Sequence, residues 1–111
     1  ALINDGAGAA LMKGHLHTDV LLTEVLRKET GLRAGRRVSH AFVMDIPGLE
    51  HPLMITDAAI NIAPDLRVKA DIVQIAIDLA RALGVERPRV GVLAAGSTVY
   101  PALPSTLDAA L

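Results

Sequence analysis

The sequence predicts an α/β fold: a mostly parallel sheet that contains one antiparallel hairpin, with helices between the strands. Three observations predict it: a run with helical periodicity beginning at Pro64-Asp65, two short apolar segments that flank Pro47-Gly48, and a segment at 90–95 that is apolar on both faces. In chain order the pattern predicts strand, helix, strand pair, helix, strand and helix, an alternation typical of α/β proteins.

The first half of the chain alternates short apolar segments with loops. Residues 7–12 are small and apolar, which indicates a buried strand. Thr18 or Asp19 is expected to cap a helix over 19–29, whose apolar residues recur at helical spacing before a stop signal at Gly31. The next three basic residues are interpreted as part of a solvated loop: Arg33, Arg36 and Arg37.

The second half contains the hairpin and the clearest helix. Residues 38–46 and 53–55 are predicted to pair as antiparallel strands across the Pro-Gly turn. The helix that Pro64-Asp65 opens has apolar residues at every third or fourth position, and Gly84 closes it. Residues 90–95 predict a central parallel strand, and residues 105–108 start a last helix.

Composition excludes several classes of protein. The 111 residues include 11 basic and 12 acidic side chains, so no basic field exists for gripping nucleic acid. A 51% apolar content argues against disorder, and no apolar run is long enough to cross a membrane. With no cysteine, the chain forms no disulfide and no thiolate zinc site, which fits a cytoplasmic location.

Three segments follow predicted strands, at the sheet edge where α/β proteins collect ligands. These segments are residues 13–19, 57–61 and 96–100. We expect any ligand site to be built from them.

Residues 13–19 (KGHLHTD) match the chemistry of a phosphate or acyl phosphate site. They precede a helix, whose first N–H groups and positive dipole end attract anions. Lys13 adds a cation, Gly14 allows close backbone approach, and Thr18 adds a hydroxyl donor; His15 and Asp19 are taken as substrate-proximal too. The alternative is a capped helix with two ordinary loop histidines.

A metal site is the second interpretation of the same segment. His15 and His17 alternate on one face of an extended strand, as in many metal-dependent hydrolases. Such a site needs further ligands, and neither His40 nor His51 falls at an expected site edge. The favoured interpretation therefore includes no metal.

The two later segments offer weaker candidates. Asp57 can orient a nucleophile or accept a proton and Asn61 can donate to an oxyanion, but capping of the turn before Pro64 is the favoured role for both. The hydroxyls of Ser97 and Thr98 can hold phosphate, although the lysine and spacing of a nucleotide P-loop are missing.

Two longer motifs resemble one known family. ALMKGHLHTD (10–19) and ITDAAINIAP (55–64) resemble the phosphate acetyltransferase and phosphate butyryltransferase family, particularly its butyryl-like branch. KADIVQ (69–74) and PSTLDAA (104–110) follow in the order that this branch shows, so the resemblance covers essentially the whole chain.

The resemblance implies a reaction and a setting. The reaction is acyl-CoA plus phosphate giving acyl phosphate plus CoA, with coenzyme A as a substrate and no other cofactor. The enzyme is expected to be cytoplasmic and a homodimer. Its fold is expected to resemble the two-domain isocitrate and isopropylmalate dehydrogenases.

The resemblance also limits what these residues do alone. In the family a serine-arginine pair and an aspartate near the C-terminus are implicated in catalysis, and that segment lies beyond Leu111. The catalytic residues are therefore unknown, and residues 1–111 are expected to form a single α/β fragment of a larger phosphate acyltransferase domain, nearly inactive in isolation. Leu22 stands where the acetyl branch has an arginine, which favours the butyryl-like branch. A metal-dependent hydrolase and a non-catalytic binding or assembly domain remain the alternatives.

Overall fold

The computed structural model describes residues 2–29, 31–32, 35–94 and 96–111. Across these residues it contains three helices and two strands: α1 (Thr18–Val25), β1 (Ala41–Met44), β2 (Leu53–Thr56), α2 (Leu66–Ala82) and α3 (Pro104–Ala110). Two compact units make up the chain, Ala1–Arg36 and Arg37–Leu111. The predicted α/β class is confirmed. In the described part of the chain, none of the helices has the length and apolarity needed to span a membrane.

Helix α1 begins at Thr18, one residue earlier than predicted. Its N-cap residue is His17, whose extended backbone leads into the helix at Thr18. Thr18 and Asp19 therefore lie in the first turn, and the expectation that one of them caps the helix is wrong. Asp19 still stabilises this end, since a carboxylate in the first turn faces the positive end of the helix dipole.

Helix α1 also ends early, at Val25 rather than at residue 29. The apolar pattern stops at Leu26 and charged residues follow, so a longer helix would have no face to pack. The chain reverses instead, with the Leu32 N–H donating to the Val25 carbonyl at 2.8 Å. A Cβ at Gly31 would lie 2.4 Å from two carbonyl oxygens, so only glycine fits in this reversal.

The second unit opens with the predicted hairpin. Strands β1 and β2 are antiparallel, with Ala41 opposite Thr56 and Met44 opposite Leu53. Between them, the Leu49 N–H donates to the Ile46 carbonyl at 3.1 Å, which closes a tight turn around the Pro-Gly pair. The prediction of an antiparallel hairpin is confirmed.

Strand β1 is shorter than the predicted 38–46 because residues 38–40 bond to another part of the chain. The Val38 carbonyl accepts from Asn61 and the His40 N–H donates to Asp57, both in the turn after β2. These residues therefore lead into the hairpin and pair with a loop rather than with a strand.

Helix α2 has the ends that its sequence predicts. The Asp65 carboxylate accepts from the Val68 N–H at 2.8 Å, an N-cap bond. At the other end Gly84 has a φ of +92°. Its N–H donates to Arg81, while the next N–H, from Val85, donates to Ala80; this pair of bonds is a Schellman motif. The last helix, α3, is also present where the sequence predicts it.

The buried core of the described residues is small. Helix α2 packs against β2, and the buried residues are Ile72, Ala80 and Thr106. In contrast, Met12, Ile62 and Leu93 are 94%, 93% and 92% exposed. Many large apolar side chains of the described residues are therefore exposed to solvent.

The predicted parallel strands do not form within the described part of the chain. Residues 7–12 and 90–94 have no strand structure, and Ala95, the end of the second segment, lies outside the described residues. The sheet that is described consists of β1 and β2 alone. A parallel strand needs a neighbour that is distant in sequence, and the described residues supply none for either segment.

Candidate functional site

The turn after β2, residues 57–61, is organised around the Asp57 carboxylate. Oδ1 accepts from the backbone N–H groups of His40 at 2.9 Å and Ile60 at 3.5 Å. Oδ2 accepts from Asn61 twice, at 2.6 Å from its backbone N–H and at 2.7 Å from its side-chain amide. Four N–H groups thus converge on one half-buried carboxylate.

These contacts determine the charge of Asp57. Partial burial raises its pKa, but hydrogen bonds from the His40 backbone, the Asn61 side chain, and the backbones of Asn61 and Ile60 outweigh that effect and lower the pKa to about 2. The carboxylate is ionised at neutral pH and is a weak base. Since a general base works best with a pKa near the operating pH, this environment favours a structural role over proton transfer.

Asn61 uses both hydrogens of its side-chain amide inside this turn. One goes to Asp57 and the other to the Val38 carbonyl at 3.1 Å. In this arrangement Asn61 has no amide hydrogen to offer an oxyanion. The turn-capping interpretation is confirmed for Asp57, which accepts from the Ile60 and Asn61 backbone N–H groups, whereas the Asn61 side chain joins the turn to Val38. Direct contact of either residue with a substrate stays a prediction.

Arg37 extends the network to helix α2, which the sequence analysis missed. Its Nη1 donates to Asn61 Oδ1 at 3.4 Å, and its Nε lies 3.6 Å from Asp71 Oδ2. Arg37 lies in an exposed loop, as the sequence predicts, but it also makes these two contacts; Arg33 lies outside the described residues. Nothing local in the sequence signals this contact, because both partners are far along the chain.

His40 supports the same turn through its backbone. Its carbonyl accepts from Thr56 Oγ1 at 2.9 Å and from the Ala58 N–H at 3.1 Å. Its ring packs edge-on against Phe42, with ring centroids 4.8 Å apart. Among the described residues, the buried Nδ1 atom of His40 has no hydrogen-bond partner. The residue is part of the packing beside the hairpin.

The other main candidate segment, residues 13–19, forms an exposed turn at the start of α1. The Lys13 ammonium donates to the Leu16 carbonyl at 3.1 Å, and the Leu16 N–H donates to the Gly14 carbonyl at 2.9 Å. This hydrogen bond keeps the Lys13 ammonium close to the backbone of residues 13–16. The structure places five predicted substrate residues together here: Lys13, Gly14, His15, Thr18 and Asp19, all exposed.

The chemistry of this turn suits an anion. The first N–H groups of α1 have no acceptor within the helix, and they lie at its positive end. Lys13 has three N–H donors, of which one is engaged by Leu16. Charge, amide donors and a threonine hydroxyl therefore occur within one short, solvent-accessible segment.

The third segment, with Ser97 and Thr98, is an exposed bend that precedes α3. Both hydroxyls are accessible to solvent. This bend belongs to the same unit as Asp57 and Asn61, whereas the 13–19 turn belongs to the first unit.

A metal interpretation gains no support from the described residues. Among them, no three histidine, cysteine, aspartate or glutamate side chains are grouped so that they could hold a metal ion. His15 and His17 are both exposed, and His17 serves as the N-cap residue of α1.

Comparison with known proteins identifies the class to which these features belong. Residues 1–110 match the family described as phosphate acetyl/butaryl transferase, and the chain belongs to that family. The resemblance predicted from the sequence motifs is confirmed.

Individual relatives have both activities in their names. The chain is 59% identical to a phosphate acetyltransferase of Rhizobium meliloti over 99% of the chain and 35% of that protein. It is 55% identical to a phosphate acetyltransferase of Rickettsia felis, over 92% of the chain and 30% of the relative. It is 40% identical to a phosphate butyryltransferase of Clostridium acetobutylicum, over 99% of the chain and 36% of the relative.

Two facts limit what these names transfer. The chain spans about a third of the length of the curated relatives it matches. The acetyltransferases of Rhizobium and Rickettsia are more similar to it than the Clostridium butyryltransferase, so the comparison does not single out the butyryl-like branch that Leu22 favours. No solved structure matches the chain significantly.

Proposed function

We propose that the protein with this chain transfers a short acyl group, acetyl or butyryl, from coenzyme A to inorganic phosphate. A phosphate oxygen attacks the thioester carbonyl, the C–S bond breaks, and the proton of hydrogen phosphate passes to the departing thiolate. The products are acyl phosphate and CoA–SH, so coenzyme A is a substrate and no other cofactor takes part. Membership of the family over residues 1–110 supports this activity.

The observation that carries the proposal is the exposed 13–19 turn. Phosphate must be held as a nucleophile, and the tetrahedral oxyanion needs hydrogen-bond donors. Lys13 supplies positive charge, and Thr18 and the first amides of α1 supply donors beside it. Gly14, His15 and Asp19 complete the proposed substrate-binding set in this segment.

The candidates in the second unit have different proposed roles. We assign Ser97 and Thr98 to contacts with phosphate or the oxyanion, because their hydroxyls are exposed in a bend. Asp57 and Asn61 remain substrate-binding candidates, and their internal hydrogen bonds favour support of the turn over direct contact. The catalytic residues stay unassigned.

The setting of these residues is part of the proposal. Residues 1–111 form a single α/β part of a larger phosphate acyltransferase domain, with a two-domain fold like that of isocitrate and isopropylmalate dehydrogenases. Residues 7–12 and 90–94 become parallel strands there, and the uncovered Met12 and Leu93 become buried. A cytoplasmic homodimer, without nucleic acid or membrane partners, remains the prediction.

The test is a two-substrate assay on the full-length protein as its gene encodes it. With acetyl-CoA or butyryl-CoA, CoA release is expected to require phosphate and to equal acyl phosphate formed, measured as hydroxamate. Phosphate-independent CoA release, or no release with either thioester, contradicts the proposal. Stoichiometric zinc that is lost in His17→Ala would instead support a metal-dependent hydrolase. A folded protein that binds neither substrate would support an assembly domain.

A further inference from the structure

Thr106 is a buried polar residue on α3, and its hydroxyl holds a loop. It is 3% exposed. Its Oγ1 accepts from the Tyr100 N–H at 2.8 Å and lies within donating distance of the carbonyls of Leu103, at 2.8 Å, and Tyr100, at 3.0 Å. Since a hydroxyl has one hydrogen, it donates to one carbonyl at a time while it accepts from Tyr100.

These bonds fix the exit of the loop that contains Ser97 and Thr98. The Leu103 N–H also donates to the Tyr100 carbonyl at 2.8 Å, so residues 100–103 form a turn that closes against the Thr106 hydroxyl. Both backbone polar groups of Tyr100 are therefore engaged. The loop residues 96–99 just upstream are exposed, so the Tyr100 backbone is where hydrogen bonds to Thr106 set their path.

Helix α3 is itself tied to the rest of its unit. The Lys69 ammonium on α2 forms an ion pair with the Asp108 carboxylate on α3, and both side chains are largely shielded from solvent. Helix α3 thus connects the 96–100 loop, which Thr106 holds, to helix α2, which Asp108 contacts through Lys69. Support of this kind is what a binding loop needs if its side chains are to be held in a productive geometry.

We propose that Thr106 is a positioning residue: its buried hydroxyl sets the backbone of Tyr100 and thereby the placement of Ser97 and Thr98 against bound phosphate. The inference rests on the proposed function, and it extends that function to a residue that touches no substrate.

The experiment compares three variants of the full-length protein. Thr106→Val keeps the shape of the side chain but removes the hydroxyl, and Thr106→Ser restores the hydroxyl. Ser105→Ala is the matched control, because the Ser105 hydroxyl makes no hydrogen bond among the described residues. The KM values for phosphate and for acyl-CoA are measured separately, together with kcat and the melting temperature.

Thr106→Val is expected to raise the KM for phosphate about 10-fold, the size of one lost hydrogen bond, with the KM for acyl-CoA changed less than about twofold. Thr106→Ser and Ser105→Ala are expected to stay within about twofold of wild type in both constants. An unchanged phosphate KM in Thr106→Val, or an equal rise in both KM values, overturns the inference. So does failure of Thr106→Ser to restore the phosphate KM.

Two further outcomes separate this inference from the proposed function. A wild-type protein that makes no acyl phosphate overturns both the proposed function and this inference. If the wild type is active and Thr106→Val leaves the KM for phosphate unchanged, only this inference is overturned. If Thr106→Val yields no folded protein, Asp108→Asn provides the test, since it weakens the tie between α3 and α2. It is expected to raise the phosphate KM about threefold through a looser loop, and an unchanged KM counts against the inference.

Discussion

Asn61 donates two hydrogen bonds to the same oxygen of Asp57, one from its backbone and one from its side chain, at 2.6 and 2.7 Å. This double contact closes the 57–61 turn on itself. The second hydrogen of the amide reaches the Val38 carbonyl, so the same residue also joins the turn to the segment that enters β1. One asparagine therefore connects both ends of the hairpin.

The first prediction concerns acid stability. The pKa of Asp57 falls from 3.8 to about 2 on folding, so its carboxylate stabilises the protein above about pH 4, and this contribution disappears as the pH falls towards 2. Asp57→Asn is expected to lower the free energy of unfolding by about 2 kcal/mol near neutral pH, and by roughly half as much near pH 3. Urea unfolding of the full-length protein at both pH values measures the difference. Asp45→Asn, in an exposed loop, is the control, and a deficit for Asp57→Asn that is independent of pH contradicts the assignment.

The second prediction isolates the amide of Asn61. Asn61→Ala removes one of the four donors to Asp57, leaves the Val38 carbonyl without its side-chain donor and takes one acceptor from Arg37. The expected loss is about 2 kcal/mol of unfolding free energy, because a half-buried carbonyl loses its partner and a half-buried carboxylate loses one of its donors. Gln74→Ala removes an exposed side-chain bond to Asp78 within α2 and is expected to cost only about 0.3 kcal/mol. Equal losses in the two variants would show that the turn contributes no more than an ordinary surface contact.

The third prediction compares two glycines in open space. A Cβ at Gly84 or at Gly14 would meet nothing within 4 Å, but only Gly84 has a left-handed backbone, with a φ of +92°. In the absence of ligands, Gly84→Ala is expected to destabilise the protein by about 1 kcal/mol, whereas Gly14→Ala is expected to be neutral or slightly stabilising. Thermal unfolding of both variants measures this. The same change in both would mean that the Schellman motif at the end of α2 is unimportant for stability.

The fourth prediction tests the proposal that the 13–19 turn binds phosphate. Lys13→Met is expected to raise the KM for phosphate about 10-fold, because a hydrogen bond to a charged group is lost. Lys28→Met removes an equally exposed lysine beyond the end of α1 and is expected to leave the KM unchanged. The measurement is the phosphate dependence of CoA release at saturating acyl-CoA. If both variants behave like wild type, phosphate binds elsewhere.

The fifth prediction concerns the 111 residues produced alone. They are expected to turn over butyryl-CoA and phosphate at a negligible rate, because few of their apolar side chains are buried and the turns proposed to bind substrate lack support. The full-length protein, assayed at equal concentration, is the comparison. An intact isolated chain that works at a normal enzymatic rate contradicts this prediction.

Local signals account for the parts of the structure that were predictable. The Asp65 cap, the Gly84 stop and the apolar spacing between them are all contained in one stretch, and α2 forms there as predicted. The Pro-Gly turn likewise specifies the hairpin, since the strands that it joins are close in sequence. The turn-capping role of Asp57 was predictable for the same reason, because two of its donors lie within four residues.

Contacts that are distant in sequence account for what was missed. Arg37 contacts both Asn61 and Asp71, and no local sequence pattern contains these contacts. The same is true of the contacts of Val38 and His40 that shorten β1. The strand predicted at 90–95 has the right composition, but pairing depends on a neighbouring strand. For the candidate site, the sequence alone grouped residues 13–19 into one segment. It did not show that both amide hydrogens of Asn61 are donated within the protein, to Val38 and Asp57.

Met12, Ile62 and Leu93, each more than nine-tenths exposed, have a practical consequence for anyone preparing these residues by themselves. Exposed apolar side chains of this kind cause newly synthesised chains to aggregate and to bind chaperones. Yield from a bacterial host would then depend on co-expressed chaperones or on a fused carrier. A dye that fluoresces on apolar surfaces would report how far such a preparation differs from the full-length protein.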